Sequence, residues 1–198
     1  MPGPPATDEQ LADTALIRLS WEEPEVFAGV FDRHAPLLHR YAARRLGPDA
    51  AEDVVSETFL AAFQHRHRYD VTQDDARPWL YGIASKVIGK RRRAEITRYR
   101  AYARSGVPPA EPSGGLVEDG VTTLAVNLPL VAALAALQAR DRDVLLLVAW
   151  AELTYEEVAQ ALDIPVGTVR SRLNRARKKV RQALDRTSKT RRGGQDDE

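Results

Sequence analysis

Residues Thr154–Val180 read TYEEVAQALDIPVGTVRSRLNRARKKV, and this segment predicts a helix, a tight turn and a second, basic helix. Thr154 followed three residues later by Glu157 is the capping-box pattern that begins a helix. Pro165 fits the first position of a new helix, and Gly167 lets that helix approach another molecule closely. The segment therefore predicts a helix-turn-helix.

The second helix of this pair has one apolar and one polar side. At about 100° per residue, Val169, Leu173, Ala176 and Val180 fall on one side, and most polar residues fall opposite. A run of charge is usually a solvated surface, but the basic residues of this helix have no acidic residue at pairing distance. This pattern favours a helix that binds phosphate.

Composition limits the class of protein. The chain has 198 residues, 43% of them hydrophobic, which is enough for one or two small globular domains. It has no cysteine, which excludes disulfides and thiolate metal sites. No apolar run approaches the ~20 residues that cross a bilayer, and no amino-terminal signal pattern is present. We expect a soluble, cytoplasmic protein without membrane insertion.

The net charge of +1 conceals segments of opposite sign along the chain. The first 30 residues are acidic, and the segment from Arg77 to Arg104 is strongly basic. Residues 105–127 are rich in proline, glycine and small polar residues, which predicts a flexible linker. The part before the linker shows helical periodicity, a capping-box pattern at Ser20 and Glu23, and a helix stop at Gly47. The predicted fold class is all-α, with two small helical domains.

Three segments of the chain resemble the extracytoplasmic-function (ECF) sigma factors of bacterial RNA polymerase. They are DAAEDVVSETFLAAF (49–63), RPWLYGIASKVIGKRRR (77–93) and LTYEEVAQALDIPVGTVRSRLNRARKKV (153–180), in this order. The third alone would also fit response regulators, but the three together are specific. The resemblance implies an initiation factor without catalytic activity that reads minus-ten and minus-thirty-five promoter elements.

The resemblance also implies the domain boundaries. An acidic extension spans residues 1–19, and a region 2 domain, which binds core polymerase and the minus-ten element, spans 20–104. The linker spans 105–127, and a region 4 helix-turn-helix domain, which binds the minus-thirty-five element, spans 128–187. Residues 188–198 are expected to form a disordered tail.

By the same resemblance, Asp53, Ser56 and Glu57 bind the clamp of the largest polymerase subunit. Ser56 stands where many relatives carry glutamine. The predicted minus-ten contacts are Tyr69, Arg77, Trp79, Lys86, Lys90, Arg91 and Arg93. Lys86 replaces a frequent asparagine and can only donate hydrogen bonds, which alters the expected base preference. Core packing is an alternative for Trp79 and Tyr81, because Trp79 falls on the apolar side of its helix.

In the helix-turn-helix, the resemblance assigns a set of minus-thirty-five contacts. They are Thr168, Arg170, Ser171, Arg172, Asn174, Arg175, Arg177 and Lys178. Arginine can bind guanine and asparagine can bind adenine through paired hydrogen bonds in the major groove. Arg172, Arg177 and Lys178 are expected to bind phosphates. Asp163, at a turn position where relatives often have glycine, is expected to adopt a left-handed conformation.

The expected partners are core RNA polymerase, through the largest-subunit clamp and second-largest-subunit flap, promoter DNA and an anti-sigma factor. The protein is expected to be a monomer without a cofactor. No metal site is expected, because the four histidines lack metal-ligand spacing. Two alternatives remain open. A stand-alone DNA-binding regulator explains only the helix-turn-helix, and a metal-dependent nucleic-acid enzyme explains only acids such as Glu52, Asp53 and Glu57.

Overall fold

The computed structural model describes residues 11–105 and 128–193. The first of these ranges forms an amino-terminal helical domain. Its helices are α1 (Asp13–Leu19), α2 (Ala28–Leu46), α3 (Pro48–His65), α4 (Arg77–Lys90) and α5 (Arg92–Ser105). Two short 3₁₀ turns, Pro24–Phe27 and Arg66–Arg68, precede α2 and follow α3.

The second range forms a carboxy-terminal helical domain. Its helices are α6 (Leu128–Ala136), α7 (Ala139–Ala149), α8 (Tyr155–Leu162) and α9 (Val166–Gly193). No β-strand occurs in either described range, which confirms the predicted helical class. Neither range contains a helix that is long and apolar enough to cross a bilayer.

Both ends of this second range bear on the predicted boundaries. Residues 106–127 of the predicted linker lie outside the described residues, as do residues 194–198 of the predicted tail. The tail prediction is wrong at its start, because α9 continues through residues 188–193 to Gly193. This segment has no internal proline or glycine, and its lysine and arginine residues tolerate a helix well.

The junction of α2 and α3 is a sharp corner at the predicted stop. Gly47 has a φ of +103°, a backbone conformation that residues other than glycine rarely adopt. Pro48 then begins α3. The Arg98 guanidinium also lies beside Gly47, with Nη1 only 2.7 Å from where a Cβ would stand. Glycine at this corner thus permits both the turn and the close packing of α5.

The helix-turn-helix is formed by α8 and α9. Thr154 Oγ1 accepts the Glu157 N–H at 3.2 Å, and Glu157 Oε2 accepts the Thr154 N–H at 2.6 Å, which confirms the predicted capping box. Asp163 ends α8 in the left-handed region with φ 52° and ψ 54°, also as predicted. Val169, Leu173 and Ala176 are buried, so the predicted apolar side of α9 is the packed side.

The predicted capping box at Ser20 and Glu23 is wrong. Ser20 instead ends helix α1, and its buried hydroxyl donates to the Ile17 carbonyl at 2.6 Å. Leu16 and Ile17 are fully buried, so residues 13–19 of the predicted acidic extension form a packed helix of the amino-terminal domain. The Ser20 hydroxyl bonds to a carbonyl of the preceding helical turn instead of accepting an N–H at the start of a following helix.

The two domains share one hydrophobic core. Buried apolar side chains of both domains form a single contiguous cluster. The largest contacts between the domains are those of α5 with α6 and of α4 with α8. The helices predicted to bind promoter DNA, α4 and α9, therefore belong to one packed body.

Replacing Asp163 tests the turn of the helix-turn-helix. We expect Asp163→Val to lower the free energy of unfolding by about 1–2 kcal/mol, because a β-branched residue is strained in the left-handed region. Asp163→Gly should keep or raise stability. Urea unfolding followed by circular dichroism measures both, with exposed Gln160→Val in α8 as control; equal losses at 160 and 163 would contradict this account.

Candidate nucleic-acid interface

Helix α9 presents the predicted minus-thirty-five residues on its outer side. Its buried side packs against α6, α7 and α8. Six predicted residues are exposed: Arg170, Ser171, Asn174, Arg175, Arg177 and Lys178. Thr168 and Arg172 are half-buried at the edge of the packed side. The structure thus brings six of the eight predicted residues to one exposed surface and places the other two at its border.

Two members of this set already have partners within the protein. Arg175 Nη2 lies 3.2 Å from Oδ1 of buried Asp141 on α7, although the Arg175 side chain remains 57% exposed. Ser171 Oγ donates to the Thr168 carbonyl at 3.0 Å. Among residues 11–105 and 128–193, no carboxylate pairs with Arg170, Arg172, Arg177 or Lys178. These four cations are available to an external anion.

The second basic surface lies at the carboxyl end of α4. Lys86, Lys90 and Arg93 are exposed, as the sequence predicts for phosphate contacts. Trp79 is half-buried and packs against Tyr69, with the ring centroids 5.0 Å apart and the ring planes tilted by 55°. Tyr69 itself is buried, and its hydroxyl donates to the Gln73 carbonyl at 2.5 Å. Burial raises the pKa of Tyr69 to about 12, so the hydroxyl remains a donor.

Helix α1 holds the loop between Tyr69 and α4. Asp13 Oδ2 accepts the Ala76 N–H at 2.9 Å, and the Thr14 hydroxyl donates to the Gln73 carbonyl. The same carboxylate of Asp13 also accepts Arg33 Nη1 at 2.5 Å and contacts His34 Nε2 at 2.7 Å. Sequence analysis missed Asp13 and Thr14 as positioning residues, because partners about 60 residues away leave no local pattern.

The ionisation of Asp13 is coupled to this loop. Burial raises its pKa, but hydrogen bonds from His34, the Ala76 N–H and Arg33 outweigh burial and leave the pKa below its ordinary 3.8. A carboxyl whose pKa is lower in the folded than in the unfolded state stabilises the fold at pH values above its unfolded-state pKa. That contribution is lost as pH falls through the lower folded-state value.

Asp13→Asn tests this coupling. At neutral pH we expect the substitution to lower the free energy of unfolding by about 1–3 kcal/mol, because charge-assisted hydrogen bonds to a buried group are lost. Below pH 3.8 the difference between variant and wild type should shrink. Urea titrations across pH measure this, with exposed Asp32→Asn on α2 as control. A difference independent of pH would contradict the assignment.

The predicted polymerase-binding carboxylates lie on an exposed side of α3, together with exposed Ser56. They are bridged by Arg91, whose Nη1 lies 3.0 Å from Asp53 Oδ2 and whose Nη2 lies 2.5 Å from Glu57 Oε1. Arg91 was predicted to bind DNA, but the structure places it against the carboxylates predicted to bind polymerase. The predicted exposed acidic surface is therefore partly neutralised within the chain.

Two exposed apolar residues, one on α3 and one on α2, were missed by sequence analysis. Leu60, 59% exposed, follows Glu57 by three residues on α3, and Phe31 on α2 is 43% exposed. The Phe31 ring meets buried Phe59 edge to face at 4.8 Å. The spacing of Asp53, Glu57 and Leu60 places them on one side of α3, and this spacing was the signal available in the sequence.

The amino-terminal half of α4 contacts α8 of the other domain. Arg77, a predicted minus-ten contact, pairs with Asp75 at 2.7 Å and with Glu157 Oε1 at 3.6 Å. Gly82 is buried, and a Cβ added to it would lie 2.4 Å from the Ala161 carbonyl oxygen on α8. The structure thus pairs Arg77 with a carboxylate of the helix-turn-helix.

A second contact between the domains is ionic, and we call Arg45, Glu95, Arg142 and Asp143 the interdomain charge cluster. Arg45 Nε lies 2.6 Å from Glu95 Oε1, and Arg45 Nη2 lies 2.6 Å from Asp143 Oδ1. Arg142 Nη2 lies 3.1 Å from Glu95 Oε2. All but Asp143 are at most 2% exposed.

Two tyrosines border the interdomain charge cluster. The Tyr41 hydroxyl accepts Arg45 Nη1 at 2.9 Å, and the Arg142 guanidinium lies 5.9 Å from the centre of the Tyr99 ring. Burial raises the pKa of Tyr41 to about 12, and it also raises the pKa of Tyr99. The low exposure of Arg45, Glu95 and Arg142 shows that the cluster is shielded from water.

The described residues contain no group of three or more His, Asp or Glu side chains placed to hold a metal ion. The candidate site consists of the two basic surfaces, on α9 and on α4, and the partly neutralised acidic surface on α3.

The chain matches two protein families along its length. Residues 30–97 match Sigma-70 region 2, and residues 127–180 match Sigma-70, region 4. It is 35% identical over 170 residues to the ECF RNA polymerase sigma factor SigL of Mycobacterium tuberculosis, covering 85% of this chain and 94% of SigL. It is 28% identical to SigW of Bacillus subtilis, covering 82% of this chain and 90% of SigW.

Two solved structures share the fold. CnrH, in complex with the cytosolic domain of CnrY, aligns with a TM-score of 0.60 and 22% identity over 87% of this chain and 97% of CnrH. The sigma factor RpoE of Bartonella quintana, in complex with the anti-sigma factor NepR, aligns with a TM-score of 0.57 and 22% identity. That alignment covers 80% of this chain and 96% of RpoE.

Fold, basic surfaces and family matches together define a two-domain, Sigma-70-type transcription initiation protein. Its 35% sequence identity with SigL extends over 94% of that relative, and this match assigns the chain to one group within the class. The chain belongs to the ECF RNA polymerase sigma factors, and it functions as a sigma factor of RNA polymerase.

Proposed function

We propose that α9 binds the minus-thirty-five element and that the carboxyl end of α4 binds the minus-ten element. The main support is the arrangement of α9, which buries Val169 and Leu173 and exposes Asn174 beside a set of cations. An α-helix fits the major groove, and a polar outer side lets it reach base edges. The alternative function, a stand-alone DNA-binding regulator that does not engage polymerase, would leave the basic surface of α4 without a role.

Within α9, base reading and backbone binding belong to different side chains. Asn174 and Arg170 supply the paired hydrogen bonds that distinguish adenine and guanine. Arg172, Arg177 and Lys178 bind phosphates and set the register of the helix on DNA. Arg175 first has to loosen its contact with Asp141 if it is to reach DNA, because its Nη2 lies 3.2 Å from that carboxylate.

At the minus-ten element, stacking and phosphate contacts carry the binding. The half-buried Trp79 can stack on an unpaired base while its tilted contact with Tyr69 holds the ring in place. Tyr69 therefore positions Trp79 and the loop rather than contacting DNA. Lys86, Lys90 and Arg93 neutralise phosphates, and Lys86 can donate a hydrogen bond to a base acceptor.

Core polymerase binds the surface formed by Asp53, Ser56, Glu57, Leu60 and Phe31. Exposed Leu60 and Phe31 supply apolar contact area, and the carboxylates attract basic groups of the largest-subunit clamp. Arg91 occupies both carboxylates in the free protein and is released toward DNA when the clamp replaces it. This exchange explains how one arginine can serve both surfaces.

The remaining assignments follow from the family. The carboxy-terminal domain binds the flap of the second-largest subunit, and the protein acts as a cytoplasmic monomer. An anti-sigma factor restrains it, by analogy with RpoE of Bartonella quintana, which was solved in complex with the anti-sigma factor NepR. The factor itself catalyses no reaction.

Two substitutions in α9 separate base reading from phosphate binding. We expect Asn174→Ala to reduce discrimination at one base pair of the minus-thirty-five element by about 1–3 kcal/mol. Arg177→Ala should weaken binding to all sequences. It should also reduce the slope of log affinity against log salt concentration by about 1, because one fewer counterion is released. Competitive binding of holoenzyme to selected promoter variants at several salt concentrations measures both. Equal loss across sequences for Asn174→Ala would contradict base reading.

Leu60→Ala tests the polymerase-binding surface. Because this side chain is exposed, the substitution should change the free energy of unfolding by less than about 0.5 kcal/mol. It should weaken binding of core polymerase by more than about 1 kcal/mol. Fluorescence titration of labelled factor with core enzyme measures the affinity. Leu19→Ala, 47% exposed on α1, is the matched control, and equal affinity of the two variants would contradict the proposal.

A further inference from the structure

An open groove lies between α5 and the corner that joins α2 to α3. It holds about 760 Å³ of empty space, which is within the range of roughly 300–1,000 Å³ that small-molecule sites have. Leu46 and Ala50 line it at the corner, and Ala94 and Ala101 line it on α5. Apart from its charged residues and Thr97, the groove is therefore apolar.

Small side chains on one side of α5 keep this space open. Ala94, Thr97 and Ala101 follow one another at spacings of three and four residues, so they fall on the same side of the helix. The corner can approach α5 because Gly47 has no Cβ that would meet the Arg98 guanidinium. The groove thus follows from the packing of α5 against the glycine corner.

All charged residues that line the groove are cations. They are Lys90, Arg91, Arg93 and Arg98. Arg91 already holds two carboxylates of α3. Lys90 and Arg93 are exposed, and within residues 11–105 and 128–193 no carboxylate pairs with either of them. An anion that enters the groove therefore meets two cations without displacing a carboxylate.

We propose that this groove binds a small amphipathic anion, a molecule with an apolar body and a carboxylate or phosphate group. The body packs against Leu46 and the alanines, and the anionic group binds Lys90 and Arg93 through charge-assisted hydrogen bonds. A peptide segment fits less well, because Thr97 is the one neutral polar side chain in the lining and cannot satisfy several backbone amides.

A ligand in this groove competes with DNA. Lys90 and Arg93 are the residues proposed to neutralise phosphates at the minus-ten element, and one cation cannot serve both anions fully. This consequence rests on the proposed function of α4. Affinity for promoter DNA then falls as the concentration of the amphipathic anion rises.

Anilinonaphthalene sulfonate is the first probe, because it is an amphipathic anion whose fluorescence reports apolar surroundings. We expect saturable binding to the full chain and displacement by octanoate and by octyl phosphate, of which the tighter identifies the headgroup. Acetate lacks the body and octanol lacks the charge, so each should displace the probe at least about tenfold less effectively. Equal displacement by octanol and octanoate would overturn the proposal.

Two paired substitutions separate the groove from general positive charge. Lys90→Gln with Arg93→Gln removes two cations of the groove, whereas Arg100→Gln with Arg104→Gln removes two exposed cations of α5 that do not line it. The first pair should weaken octanoate binding at least about tenfold, and the second less than about twofold. Equal loss for the two pairs would contradict a defined site.

Ala94→Glu is a second, independent variant. It places a carboxylate inside the groove while keeping a good helix former in α5, so octanoate should lose at least about tenfold in affinity. Exposed Ala132→Glu on α6 is the matched control. Ala94→Glu decides the question if the paired groove substitution unfolds the protein, which circular dichroism would reveal. Wild-type octanoate affinity in Ala94→Glu would overturn the proposal.

Competition with nucleic acid is measured with labelled oligo(dT), which probes phosphate contacts without a promoter sequence. Octanoate should weaken its binding to wild type and to Ala132→Glu, whereas binding to Ala94→Glu should not respond to octanoate. Octanoate that binds without weakening oligo(dT) binding would overturn the regulatory role. The probe titrations contain neither DNA nor polymerase. Their failure is therefore distinct from failure of the proposed function, which would appear as wild-type holoenzyme unable to bind promoters.

Discussion

Arg45 and Arg142 lie in the shielded contact between the two domains, and they can remain charged there only because Glu95 and Asp143 face them. A buried ion pair contributes little net stability relative to hydrated charges, but an incomplete pair is strongly unfavourable. The cluster therefore acts mainly through specificity. It disfavours placements of α2, α5 and α7 that would leave an arginine unpaired.

Two charged residues outside this cluster also have two roles each. Glu157 caps α8 and also faces Arg77 of α4, so the helix-turn-helix and the proposed minus-ten helix are linked through one carboxylate. Arg91 bridges Asp53 and Glu57, so the proposed DNA and polymerase surfaces are linked through one guanidinium. Both contacts are partly exposed and individually weak, which suits contacts that have to be exchanged for a partner.

Local sequence patterns were sufficient for much of this architecture. The capping box at Thr154, the left-handed Asp163 and the apolar side of α9 depend on residues within one or two helical turns, and the structure contains all three. The same kind of pattern misled at Ser20, whose hydroxyl bonds to the Ile17 carbonyl and ends a helix. A pattern of residue types does not determine which of two nearby backbone partners is used.

The contacts that sequence analysis missed join residues far apart in the chain. Asp13 bonds to the N–H of Ala76, and Arg45 meets Asp143, which is 98 residues away. Nothing in the local sequence marks either pair, because their proximity arises from helix packing and not from periodicity. The resemblance placed Arg91 on DNA from its position in a basic run, whereas its contact with Asp53 and Glu57 depends on how α3 packs against α4.

We propose that α4 and α9 read two separate promoter elements when the protein is bound to core polymerase. The most direct measurement is transcription by core bacterial RNA polymerase with this protein from a random DNA library, followed by sequencing of the productive templates. We expect the selected templates to share two short elements at a fixed spacing, and transcription to depend on the added protein. Templates with one element only, or DNA bound by the protein without any polymerase-dependent transcript, would contradict it.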